Sequence, residues 1–442
     1  MIRKLLAFVQ GGSEVSRPTV VNSLWLGSSS AANGVLGAAS SALLARYLGL
    51  SDFGTLTLMI SVLNVLSDLG DLGLSATFVR FGAESVSRGD LDRFDRILGI
   101  MVRAKLVLSA LIVVIALLLI DPIIASVFGH VDPGIRVYFL VAVFAAVLNI
   151  AATLFPPVFQ SFKQYRLQAI LSTLRAASKL MFILGGGMML ARWTVTAALS
   201  VEVLSAGVFL LIAATLFPRK AFRRGPMDRT LTSGLLAFNK WISLYQIITL
   251  FGSRMDVFSL GSLASTQELG LYGAASRIAG LVIAVTNSFY AVLLTEASSS
   301  GTQVELHRRI RNASAVVGMI LLGLLCLFLL APYVVPLLFG TSFSDGGRVL
   351  QVMIPGMAFV ALAYPPNAAL FAWNKSFVLP LTAAAATTIF VLGNVLLIPR
   401  YGSVGAAVAY SAYNCVSFLI PLAFYAYFAR TGRRDGTTDA GA

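Results

Sequence analysis

Long apolar runs separated by short polar breaks recur along the whole chain, the pattern of a protein that crosses a membrane many times. A helical span needs about 20 apolar residues. Segmentation at the polar breaks predicts twelve helices, near residues 20–45, 54–82, 98–120, 135–160, 169–191, 194–217, 240–263, 271–297, 313–331, 348–373, 378–398 and 403–428. The runs are too long for the roughly ten-residue alternating strands of an outer-membrane barrel. Composition agrees: 57% of residues are hydrophobic and 12% charged, against about 25% charged in soluble domains. The expected fold class is an all-α polytopic membrane protein.

The longest polar connection, PRKAFRRGPMDRTLTSG at 218–234, divides six spans from six. It predicts an N-terminal six-helix bundle (1–217), a basic cytoplasmic linker (218–239), a C-terminal six-helix bundle (240–428) and a tail (429–442). An even number of spans in each half makes any internal repeat parallel, with its axis along the membrane normal. Traces of such a repeat are present. Ser51-Asp52-Phe53-Gly54 aligns with Gln267-Glu268-Leu269-Gly270, Phe128-Gly129 with Phe339-Gly340, and Pro156-Pro157 with Pro365-Pro366. The start, MIRKLLAFVQ, has an apolar run too short for a signal-peptide core and is expected to be a short amphipathic, uncleaved segment.

The net charge of +14, from 33 basic and 19 acidic residues, follows from membrane topology. With both termini cytoplasmic, most Lys and Arg fall in inner loops and adjoining turns, as the positive-inside rule requires, Lys105 and Arg80 among them. A basic face of this kind suits anionic headgroups, and no nucleic-acid partner is implied. Cys326 and Cys415 each lie within an apolar span and read as small hydrophobes, without a disulfide or metal framework.

Charges inside the spans are the candidate chemistry, because ionisable groups in lipid are expensive and usually face a cavity or a partner. Asp68 and Asp71 are three residues apart in the second span and share a helix face. Counted from Gly54, they sit roughly 21 and 26 Å along the helix axis. Two acids this close suit a proton- or cation-coupling site; the structural alternative is that one pairs with an Arg and the other caps a helix break. Gly70 and Gly73 beside them allow a bend or the close approach of a neighbour.

The order Ala-Arg-Tyr-Leu-Gly (45–49), Phe53-Gly54, Asp71-Leu72-Gly73-Leu74 and Arg80, with the echo Gly270-Leu-Tyr-Gly-Ala-Ala-Ser (270–276), resembles the polysaccharide biosynthesis or O-antigen flippase family. That family is part of the multidrug/oligosaccharidyl-lipid/polysaccharide (MOP) exporter superfamily. The resemblance spans the chain in helix count and loop lengths, with its sharp motif at 45–81. It implies two pseudo-symmetric six-helix bundles around a central cleft that opens alternately to each side. It also implies a cargo of isoprenoid-diphosphate-linked oligosaccharide, moved across the bacterial cytoplasmic (inner) membrane.

Such a cargo carries a compact multiple anion, for which Arg is the best-matched side chain. Arg254, Asp256 and Arg277 on the seventh and eighth spans are the candidate headgroup cluster, with snorkelling to the interface as the plain alternative. Arg175 and Lys179 share a face of the fifth span, where Glu202 of the sixth lies at comparable depth. They read either as a basic step for the cargo or as a Lys179–Glu202 pair locking a hairpin. Arg80, at the cytoplasmic end of the second span, is a further candidate for phosphate, with snorkelling as the simpler alternative. The substrate-binding set is therefore Arg254, Arg277, Lys179, Arg175 and Arg80, and the ion-coupling set is Asp68, Asp71, Asp256 and Glu202. Asn33, Asn64, Asn149 and Asn287 either line a polar cleft or bridge helices; Asn287 stands where the repeat places Asp71.

Asp90-Leu91-Asp92 resembles a metal-binding acid pair but sits in a short charged loop, and Glu305, His307 and His130 form no ligand constellation. No enzyme, metal or cofactor is expected. The function expected is that of a flippase for surface polysaccharide assembly, in contact with membrane lipids and other polysaccharide-assembly membrane proteins. Its rivals are a cation-coupled multidrug antiporter of the same superfamily and, in another class, a polysaccharide polymerase or ligase, which would need a large outer loop.

Overall fold

The structure is a computed structural model that describes residues 19–128, 133–216, 229–298, 303–373, 375 and 377–435. These residues are helical throughout, apart from turns, bends and the 3-10 turn at Thr341–Phe343. The helices are α1 (Thr19–Leu48), α2 (Leu50–Asp71), α3 (Leu74–Ser87), α4 (Leu91–Leu118), α5 (Ile120–Phe128), α6 (Pro133–Ala152), α7 (Phe155–Ser161) and α8 (Tyr165–Met189). They continue with α9 (Val195–Leu216), α10 (Arg229–Ser253), α11 (Met255–Leu263), α12 (Thr266–Ser298), α13 (Gln303–Phe339), α14 (Gly346–Ala372) and α15 (Val378–Asp435).

All twelve expected spans are helical, and several are broken. Nine described helices are long and apolar enough to cross a membrane, and the difference from twelve has physical causes. The eleventh and twelfth spans run on as α15, kinked where Gly402 takes φ 54°, ψ −131°. The first span carries the polar stretch Ser28-Ser29-Ser30 with Asn33, and the seventh carries Asn239, Lys240, Ser243 and Gln246 before breaking at Arg254 between α10 and α11. The proline pairs of the repeat behave differently: Pro156-Pro157 occupy the first turn of α7, whereas Pro365-Pro366 lie inside the continuous α14.

The chain divides into two compact units. Unit 1 gathers the described residues of Met1–Ser40 and Leu56–Arg254, and unit 2 those of Ser41–Thr55 and Met255–Ala442. Of the stretch expected as a linker, 218–239, the residues from Arg229 onward are helical and belong to unit 1; its first part, 218–228, and the tail beyond Asp435 lie outside the described residues. The cause is packing: Leu235 is buried in the unit 1 core with Phe78, Phe94, Phe155, Phe159 and Phe209, and Phe238 meets Phe81 edge-on at 5.5 Å.

Unit 2 contains the two copies of the aligned motif, and they pack on each other. A Cβ on Gly54 would lie 1.9 Å from the Thr266 carbonyl oxygen, and one on Gly270 would lie 2.3 Å from that of Leu50. Each glycine thus faces the carbonyl four residues before the other, a reciprocal contact of local two-fold character. The Ser51 and Thr266 hydroxyls hydrogen-bond across it at 2.8 Å. Phe53, beside the crossing, packs edge-on against Phe343 at 5.6 Å. Arg46, in the last turn of α1, donates to the Leu338 carbonyl at 2.9 Å and to that of Leu337, which satisfies acceptors left open at the end of α13.

Gly54→Ala and Gly270→Ala should each destabilise the protein by about 3 kcal/mol, because backbone at the crossing cannot yield as a side chain can. Gly27→Ala, with open space around it, should be neutral or slightly stabilising. Thermal unfolding and size-exclusion profiles in detergent measure both outcomes.

Candidate functional site

The site in unit 1 grows from a helix break. In the sequence Asp68-Leu-Gly-Asp-Leu-Gly-Leu, α2 ends at Asp71, and Leu72 (φ 39°) and Gly73 (φ 80°) take left-handed conformations before α3 begins. Gly73 meets this conformation without the strain of a side chain, and a Cβ there would fall 2.4 Å from Ile242. Gly70, one turn earlier, lets α6 approach, since a Cβ on it would be 2.2 Å from Ile150.

A break frees backbone groups that need partners away from water. The Leu72 carbonyl receives hydrogen bonds from Ser243 Oγ at 2.7 Å and Asn239 Nδ2 at 3.2 Å. Asn239 Oδ1 in turn accepts from Thr77 Oγ1 at 2.7 Å. Thus α10 is fastened to the break by Asn239 and Ser243, and one turn further on its Gln246, Thr249 and Leu250 line a cleft of about 240 Å³ with Asp68, Asp71 and Leu72.

The two acids have different fates. Asp71 Oδ1 takes the Lys105 ammonium at 2.6 Å and also accepts from Ser75 Oγ. Lys105 is 2% exposed, and its Nζ also reaches Thr153 Oγ1 at 2.6 Å and Ser75 Oγ at 3.1 Å. Its three donors are therefore matched by oxygens on α3, at the end of α2 and between α6 and α7. Lys105, expected among the basic residues of the inner face, is a buried residue of α4. Asp68 is exposed on the cleft wall, within electrostatic reach of Arg254.

The other sequence candidates are placed as follows. Lys179 of α8 pairs with Glu202 of α9, the hairpin lock. Arg175 donates to Asn149 Oδ1 on α6, with its guanidinium 5.8 Å from the Phe209 ring. Arg80 is exposed on α3 and lies over Phe238 at 4.1 Å and Phe81 at 5.5 Å. Arg254 belongs to unit 1, whereas Asp256 and Arg277 belong to unit 2. Asp256 accepts from the Tyr272 hydroxyl and from the Val257 backbone at 2.8 Å. Three of the asparagines bond to other side chains: Asn33 to Ser172 at 3.2 Å, Asn149 to Arg175, and Asn287 to the Tyr364 hydroxyl at 2.8 Å. Asp90 caps α4 through the Arg93 backbone at 2.8 Å, and among the described residues no three His, Cys, Asp or Glu side chains converge as a metal-ligand group.

Sequence reasoning missed Lys105, Thr153 and the face Asn239, Ser243, Gln246 and Thr249. Helical spacing of polar residues through an otherwise apolar span was the available signal for that face. No comparable signal linked Lys105 to Asp71, which lies 34 residues away.

The fold is similar to that of solved transporters of the MOP superfamily. An inward-facing multidrug resistance MATE transporter aligns over 93% of this chain and 96% of its own, with TM-score 0.77 and 15% identity. The lipid II flippase MurJ aligns over 91% and 87%, with TM-score 0.72 and 11% identity. Residues 43–346 match the polysaccharide biosynthesis protein family, and the chain belongs to it. It is also 23% identical over 393 residues to the "Probable low-salt glycan biosynthesis flippase Agl15" of Haloferax volcanii, covering 87% of this chain and 78% of that one. The chain is a multi-pass membrane protein, and these similar proteins are named as flippases and transporters.

Lys179→Met removes the ion-pair partner of Glu202, which keeps Arg175 within electrostatic reach, and should lower stability by about 2 kcal/mol, with part of the loss recovered in Lys179→Met/Glu202→Leu. If that double variant regained stability but not transport, the pair would have a role beyond locking the hairpin. Asn239→Leu should cost about 2 kcal/mol, because Thr77 and the Leu72 carbonyl each lose a buried partner. Thermal unfolding curves of the purified variants measure both.

Proposed function

We propose that this protein is a flippase that carries an isoprenoid-diphosphate-linked oligosaccharide from the inner to the outer leaflet of the cytoplasmic membrane, with both termini cytoplasmic. The observation that carries the reading is membership of the polysaccharide biosynthesis family over residues 43–346, joined to whole-chain likeness to a glycan flippase. The mechanism proposed is alternating access, in which the polar headgroup travels through protein while the lipid tail stays in the bilayer.

Within this reading the candidate residues separate by what already holds them. Arg175, Lys179 and Arg80 have partners in Asn149, Glu202 and Phe238, which suits structural roles. Arg254 of unit 1 and Arg277 of unit 2, the latter itself engaged by protein, are each proposed as phosphate ligands on chemical grounds, because a guanidinium matches a diphosphate. Of the acids, Asp71 is neutralised by Lys105, so proposed coupling to a cation gradient narrows to Asp68, the exposed acid of the cleft. A cation-coupled drug antiporter is the second reading, favoured by this acid-lined cleft and by the likeness to a MATE transporter.

Proteoliposomes holding a fluorescent lipid-linked oligosaccharide on one leaflet decide between them. The flippase reading expects protein-dependent exchange between leaflets, with Arg254→Gln reducing the rate about tenfold, a loss equal to one good charged hydrogen bond. Asp68→Asn should abolish its dependence on an imposed proton or sodium gradient. Dye extrusion without lipid exchange would establish the antiporter, and an Asp68→Asn variant with full gradient dependence would sink the coupling role.

A further inference from the structure

The groups around the Lys105 ammonium are arranged as a cation site. Thr153 Oγ1 spends its own hydrogen on the Ile150 carbonyl at 2.7 Å, and Ser75 Oγ spends its hydrogen on Asp71. Both hydroxyls therefore present lone pairs alone to the ammonium, at 2.6 and 3.1 Å, beside the Asp71 carboxylate at 2.6 Å. The result is an acceptor-only socket of net charge −1, assembled from two chain segments, residues 71–75 and Thr153, around one positive charge. Hard oxygen ligands of this kind suit hard cations.

The socket also has an entrance. Asp71 forms part of the wall of the 240 Å³ cleft that Asp68, Gln246 and Thr249 share, and its side chain is 17% exposed, while Lys105 behind it is 2% exposed. An ion in the cleft could thus reach the carboxylate if the ammonium were absent.

We propose that Asp71, Ser75 and Thr153 form a monovalent alkali-cation site permanently filled by the chain's own Lys105, and that removing this ammonium lets a free ion from the cleft take its place. The consequence is that the helix breaks of unit 1 are charge-balanced without a free ion. The proposal rests on these contacts and is independent of the cargo.

The test uses the full-length protein in detergent, with thermal unfolding followed in NaCl, KCl and choline chloride at constant ionic strength. Lys105→Ala should be destabilised in choline and should regain several degrees, saturably, as Na⁺ or K⁺ replaces choline, as expected for a ligand that binds the folded state. Wild type should show no such difference, and Asp71→Asn/Lys105→Ala should lose the response while remaining folded. Binding of ²²Na⁺ or ⁸⁶Rb⁺ should approach one ion per chain in Lys105→Ala and none at this site in the double variant. Lys105→Gln, which keeps more of the side-chain volume, is carried through the same series. The proposal is overturned if the recovered single variants unfold identically in all three salts, or if the double variant responds as they do. It is equally overturned if neither single variant is recovered in alkali salts while the double variant is.

Discussion

A lysine ammonium removed from water must find acceptors for all three of its hydrogens, and in this protein that requirement joins two broken helices. Lys105 lies on α4, which is continuous over 28 residues, and its Nζ meets Asp71 and Ser75 on either side of the α2/α3 break and Thr153 at the α6/α7 break. Breaks in a membrane-spanning helix are tolerated only where protein satisfies the freed groups. One charged side chain organises both, while α10 closes the first through Asn239 and Ser243. The lengths of α2, α3, α6 and α7, and the cleft walls between α2 and α10, follow from these few bonds. Replacing such a buried pair by apolar residues need not cost stability; its contacts lie at the places where the two helices break.

In unit 2 the corresponding constraint is steric. Gly54 and Gly270 allow two helices to touch carbonyl against Cα, a packing mode common where small residues replace a hydrophobic driving force between membrane helices. The reciprocal geometry relates the two motif copies by a local two-fold. Glu268, in the second copy, reaches the other irregularity of this unit: it accepts from the Ser403 backbone at 2.8 Å and from the Ser403 hydroxyl at the Gly402 kink of α15. A carboxylate at a position offered by the repeat is thus used to hold a helix break, as Asp71 is in unit 1.

Periodicity and composition made the span count legible, because a twenty-residue apolar run leaves few alternatives. The Gly54 and Gly270 motif was legible as well, since its two copies stand in corresponding places. Helix breaks were less so. Pro156-Pro157 and Pro365-Pro366 are the same local signal, yet the first pair begins a new helix and the second sits inside one. The difference lies in the surroundings: at the first break Thr153 finds Lys105 as partner, a tertiary contact that no local pattern announces. For the same reason Lys105, close in sequence to Arg96 and Arg103, read as one more basic residue of a membrane face. Its burial depends on Asp71, a residue on another helix.

The repeat sharpens what the asymmetry means. Asn287 stands at the position that corresponds to Asp71, and it accepts from Tyr364, just before the second proline pair. Thr153 lies just before the first pair and accepts from Lys105. In both halves, then, the second-span residue is linked to the chain that precedes the prolines, directly through a neutral hydroxyl in one and through an ammonium in the other. Where the pair is neutral no counter-charge is needed, and where an acid stands in that place a lysine accompanies it. Asp68 has no such compensation from Lys105, whose donors are already used. The two acids of this helix face thus differ: Asp71 is paired with a buried ammonium, whereas Asp68 is exposed on the cleft wall within electrostatic reach of Arg254.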